Sequence, residues 1–233
     1  MRFLSGEYWS RALSNPWVAA GLAVDLAPVF AVVVLGWRAA PLVLLYWLEN
    51  LIIGVATLAR IISAGFAKGV AGGVASLFMG AFFTVHYGLF CFVHGVFLFV
   101  LASEFGGGDI ASLNPDDPMN PAGLVGGALI AAPGMSVFVL LLIIWQAAMF
   151  VDDFVLKNGA LNADPAKEMF APYGRIVVLH IGIFAGFAAL AAIGEPMIGV
   201  LGLILLRAVW GLFMSSRRWG PLFDTPTLTQ RHE

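Results

Sequence analysis

The sequence predicts an all-α, polytopic membrane bundle of about six transmembrane helices with both termini on the cytoplasmic side. Three observations carry this. Of 233 residues, 61% are apolar and 11% are charged, against about 45–50% and about 25% in soluble domains, so the chain has too little polar surface to cover a globule in water. The apolar residues fall into six runs, each long enough to cross ~30 Å of hydrocarbon, which takes about 20 helical residues. Lys and Arg gather on one side of those runs.

The first run, about 15–36, carries Asp25 near its middle. The residues before it, Met1 to Ser14, contain Arg2, Glu7 and Arg11 but no long basic region and no convincing cleavage site, so the segment reads as retained. The second run, about 41–63, holds Tyr46-Trp47-Leu48-Glu49-Asn50. The third, about 75–102, is the longest and is expected to tilt or to extend beyond the bilayer. A connection over 103–132 follows, rich in Gly, Pro and Asn. Its ordinary reading is a surface loop, with a re-entrant segment over Gly123 to Ala132 as the alternative. The fourth run, about 133–156, ends in Asp152-Asp153, for which Arg60 or Arg175 is the expected partner. The fifth and sixth, about 173–192 and 196–214, are separated by Ile193-Gly194-Glu195-Pro196, which predicts an antiparallel hairpin. A tail over 215–233 completes a single transmembrane domain, 1–233.

With the N-terminus inside, ten Lys and Arg fall on the cytoplasmic side and only Arg38 outside. The 103–132 connection, with Glu104, Asp109, Asp116 and Asp117 and no Lys or Arg, fits the outer side. The near balance of 12 basic and 14 acidic residues excludes a nucleic-acid-binding surface. A lone Cys91 excludes an intrachain disulfide and an all-cysteine metal cluster. There is no serine nucleophile elbow and no phosphate-binding loop.

The informative residues are the polar ones inside the spans, because an ionisable group in hydrocarbon is costly and is placed toward a cavity or a partner. By a rise of about 1.5 Å per residue, Asp25, Glu49, His86, Gln146, His180 and Arg207 all fall near the midplane, while His94 lies about 12 Å further out. Glu49, His86 and His180 form the expected set of metal ligands, with Asp25 and His94 as additional candidates and Asn50, Gln146 and Arg207 in support. A mixed set of imidazoles and carboxylates suits Zn, Fe or Mn. His86 and His94 lack the three- or four-residue spacing at which two histidines on one helix share an ion, so each needs ligands from other helices. Haem held by His86 and His180 is the weaker cofactor expectation.

The pairing of Trp47-Leu48-Glu49-Asn50 with His86-Tyr87-Gly88-x-Phe90-x-x-x-His94-Gly95 resembles a family of uncharacterised bacterial and archaeal integral membrane proteins, a domain of unknown function. The resemblance runs from about the first span to the sixth. It implies a polytopic fold in a bacterial or archaeal cytoplasmic membrane and supplies no activity.

Two functions compete on these residues. The leading expectation is a membrane protein with a buried transition-metal site that could act as an enzyme on an apolar small molecule, the metal serving as Lewis acid or water activator. The alternative is a proton-coupled transporter or channel in which Asp25, Glu49, His86, His94 and His180 form a relay. Haem-based electron transfer comes third. The expected partners are the lipid bilayer, protons or an apolar substrate; a homo-oligomer remains open, and nucleic acid is excluded.

Overall fold

The computed structural model describes residues 14–105 and 120–174, and single positions between 176 and 211, namely 176, 177, 180, 181, 184, 188, 192, 202, 204–206, 208, 209 and 211. Arg175, Arg207, the break at 193–196, the acidic stretch at 106–119 and the tail over 215–233 lie outside the described residues. The described elements are helical: α1 Pro16–Leu35, α2 Ala39–Phe66, α3 Val70–Phe105, α4 Pro121–Leu129, α5 Met135–Phe150 continued by a π-helical turn Val151–Leu156, α6 Gly159–Asn162 and α7 Pro165–Phe170. The described positions from Tyr173 onward are helical too.

Among the described residues, four helices are long and apolar enough to cross a membrane: Pro16–Leu35, Ala39–Phe66, Val70–Phe99 and Met135–Leu156. They match the first four expected runs to within a few residues. Of the most apolar stretch, 61% is buried in α2 against 28%, 33% and 28% in the other three, which makes α2 the central helix. The others surround it and turn apolar faces outward, as Phe78, Val85 and Leu89 do on α3. That inversion of the soluble pattern is what lipid as solvent permits.

Local chemistry sets the boundaries. Asn15 caps α1 by accepting the Trp17 amide across 2.9 Å, Pro16 occupies the first helical position, and Gly36 ends the helix in the left-handed region at φ +67°. Between α2 and α3 the chain turns on Gly69, at φ +91°. There the two helices come into backbone contact: a Cβ on Gly65 would sit 2.2 Å from the Ser76 side chain, and one on Gly72 2.6 Å from the Gly65 carbonyl oxygen. Glycine is required by that approach, and the hairpin is consequently tight and antiparallel.

The main core gathers Leu42, Leu45 and Trp47 from α2, Phe99 from α3, and Met135 and Leu142 from α5. It also takes in Leu124 and Ala128 of α4, both fully buried. The surface-loop reading of this part of the 103–132 connection is therefore corrected. The Gly- and Ala-rich run after Asn120 and Pro121 starts a capped helix of nine residues that packs into the bundle.

Candidate functional site

Two histidines meet between α3 and the segment that begins at Tyr173. The Nε2 atoms of His94 and His180 stand 2.8 Å apart, with the rings at 79° and their centroids 4.6 Å apart. Each Nδ1 faces a carbonyl four residues earlier in its own chain segment: Phe90 at 2.9 Å for His94, and Ile176 at 2.8 Å for His180. A carbonyl oxygen only accepts, so both Nδ1 atoms carry hydrogen and donate; the tautomer is assigned from this network. In the neutral rings both Nε2 atoms then carry lone pairs, 2.8 Å apart. Two lone pairs at that distance repel unless a positive centre is shared between them.

The surroundings are aromatic. The ring of Phe90 lies 4.0 Å from that of His94 and 5.7 Å from that of His180, and Phe184 lies 6.4 Å from His180. Two helical turns along, the Tyr173 ring approaches His86 at 6.3 Å and Tyr87 at 6.1 Å. Tyr87 pairs with Tyr173 and His94 with His180, so the two segments run parallel in register.

This register corrects the depth assignment made from span centres. His180 meets His94 because Tyr173 seats against Tyr87, which shifts the fifth segment along α3 by about two turns from a centre-to-centre alignment. His86 is exposed and stacks on Phe82, with ring centroids 5.6 Å apart and planes 8° apart. Among the described residues no three His, Cys, Asp or Glu side chains are grouped to hold a metal, so Glu49, His86 and His180 do not form a common set. Glu49 and Asn50 are buried on α2 and Asp25 is buried on α1. Asp25 and Glu49 are each engaged by a neighbouring group. Asp25 faces the backbone of Gly211, where an added Cβ would fall 2.0 Å from its carboxylate. Gln146 is half-buried on α5. A signal for the pair was present in the sequence: Tyr87 to His94 and Tyr173 to His180 have the same spacing, close to two helical turns, so each Tyr and His share a face.

A second polar cluster lies where α2, the π-helical turn and α7 meet. Arg60 reaches Asp153 at 3.7 Å and Glu168 at 3.8 Å, with its guanidinium 5.1 Å from the centre of the Phe154 ring. Lys157 pairs with Asp152. Burial pushes the Glu168 carboxyl above the ordinary range, and the Arg60 charge opposes that shift. The expected ion pair from Arg60 to the Asp152-Asp153 pair is thus present, through Asp153, and ties the π-helical turn to α2, while Glu168 ties α7 to the same arginine.

No curated protein and no solved structure matches the chain. Residues 7–221 match the model of a family of unknown function, DUF6498, and the chain belongs to that family.

Proposed function

We propose that this is a multi-pass membrane protein that binds a transition-metal ion between His94 and His180, with six spans and both termini in the cytoplasm. The observation that carries the reading is the convergence of two Nε2 lone pairs while both Nδ1–H groups are committed to carbonyls. A metal-binding histidine ordinarily donates its other ring N–H in this way, which fixes the tautomer and raises the basicity of the ligating nitrogen. With metal–nitrogen bonds of about 2.0–2.1 Å, nitrogens 2.8 Å apart subtend roughly 90°, the angle between neighbouring ligands in six-coordinate Fe or Mn. Tetrahedral Zn would need the rings to separate by about half an ångström. An ion with two protein nitrogens keeps open positions, and there it could polarise a carbonyl or activate water on an apolar substrate. Two axial ligands of one haem iron stand about 4 Å apart on opposite faces of the ring, so a 2.8 Å contact weighs against haem at this pair.

The test is elemental analysis and Co(II) absorption on detergent-purified protein. Stoichiometric metal and a Co(II) ligand-field band that are lost in His94→Ala and His180→Ala, and kept in His86→Ala, support the proposal. Metal-free protein that also fails to take up Co(II) overturns it.

A second reading, a proton-coupled relay, is favoured by the same 2.8 Å separation, which is also that of an N–H···N hydrogen bond. Proteoliposome flux driven by a pH gradient and abolished in His94→Ala would select it. Flux that ignores both the gradient and the substitution would remove it.

A further inference from the structure

A second feature lies away from the histidines, between α1 and α5. The two helices run antiparallel and are pinned at both ends. At one end Trp17 meets Trp145 with ring centroids 6.0 Å apart, and a Cβ on Gly21 would sit 3.2 Å from the Trp145 ring. At the other, Trp37 stacks obliquely on Phe138 at 5.1 Å and donates its indole N–H to the Pro133 carbonyl at 3.0 Å. Between these pins a cavity of about 340 Å³ opens, walled by Ala23, Ala27 and Pro28 of α1 and by Phe138, Leu142 and Trp145 of α5. Trp145 acts as a spacer, and the small residues of α1 leave the volume unfilled.

We propose that this cavity seats one acyl chain of a membrane phospholipid. Its lining contains no charged side chain, so it selects hydrocarbon. The lining extends along α5 from Phe138 to Ala148, roughly 15 Å of helix, which suits an extended chain of about a dozen carbons. Leu141 and Ile144 line the cavity and are also half-exposed on the outside of the bundle, so it opens toward the side where lipid lies. An unfilled void in a close-packed bundle forfeits dispersion contacts on every wall, and a saturated chain restores them without desolvating a charge.

Full-length protein in detergent, stripped by exchange and then returned to phosphatidylcholine vesicles with brominated acyl chains, tests this proposal. Tryptophan emission should show a quenched fraction that persists after re-extraction into detergent, with one phospholipid per protein by native mass spectrometry. Ala27→Phe, which fills the cavity, should remove both the retained lipid and the persistent quenching. Ala148→Phe serves as the second filling variant should Ala27→Phe fail to fold. Absence of retained lipid in the wild type, equal retention in a folded filling variant, or a second copy of the chain in place of lipid would overturn the proposal.

Discussion

The indole N–H of Trp47 donates to the Cys91 carbonyl across 2.7 Å, and the same ring lies against Gly95, where a Cβ would stand 2.5 Å from it. Two turns along α3, Tyr87 returns the contact. Its hydroxyl donates to the Asn50 carbonyl at 3.0 Å, and its ring covers Gly54, where a Cβ would stand 2.7 Å from it. The Trp-Leu-Glu-Asn and His-Tyr-Gly motifs are thus two halves of one interface, with Trp47 covering Gly95 of α3 and Tyr87 covering Gly54, one turn after Asn50 on α2. The direct consequence is that His94, between Cys91 and Gly95 on α3, is held rigidly for its meeting with His180.

Gly95→Ala should destabilise the protein by about 1–3 kcal/mol, because the Trp47 ring must move and lengthen its hydrogen bond to Cys91. Gly88→Ala in the same motif meets nothing within 4 Å and should be neutral or slightly stabilising. Thermal unfolding of the two variants in detergent, followed by tryptophan emission, separates them. Equal midpoints would show that Trp47 does not pack on Gly95.

Gly65→Ala should be the more damaging change. The added methyl group would meet Ser76 and the Gly72 carbonyl, which is backbone and cannot swing aside. Ser76→Ala relieves only part of the clash, so the double variant should recover less than half of the lost stability. Complete recovery in the double variant would place the clash at Ser76 alone.

Glu168 has a raised folded-state pKa, caused first by burial and partly offset by Arg60. The sign follows directly. The folded protein favours the protonated acid, so this group's contribution is most favourable below the unfolded value of about 4.3 and declines as pH rises from there through the folded value. Glu168→Gln should flatten that part of the stability–pH curve. Arg60→Met should steepen it, since the charge that opposes the shift is gone. Unfolding midpoints collected between pH 4 and 7 for the three proteins check the order.

Replacing His180 by Gln keeps a hydrogen-bonding side chain but changes its shape and basicity. The Co(II) band should vanish with a loss of stability of no more than about 1–2 kcal/mol. His86→Gln should leave both unchanged, because among the described residues His86 stacks on the Phe82 ring and lies tilted against that of Tyr173. A Co(II) band that survives His180→Gln and is lost in His86→Gln would return the site to the midplane set of Glu49, His86 and His180.

What the amino-acid sequence determined by itself is the environment and the elements. Apolar runs of fixed minimum length must become helices in lipid, because no other open structure satisfies the backbone there, and the first four are therefore legible to within a few residues. The identity of the informative residues was legible for the same reason, since an imidazole or carboxylate within such a run needs an explanation wherever it falls. Pairing was not legible from depth along the spans, and the equal Tyr87–His94 and Tyr173–His180 spacings place each Tyr and His on one face without saying which faces meet. The centre of an apolar run locates a residue along its own helix, but the offset between two helices is set by which ring fits which gap. Tyr173 against Tyr87 and Trp47 against Gly95 set those offsets here. A shift of two turns leaves hydropathy nearly unchanged, yet it exchanges His86 for His94 as the partner of His180. Likewise, the small residues of α1 read as ordinary packing positions, and only the Trp145 spacer turned them into the wall of a cavity. Composition and periodicity report each helix's affinity for lipid, whereas side-chain complementarity between helices decides which chemistry they bring together.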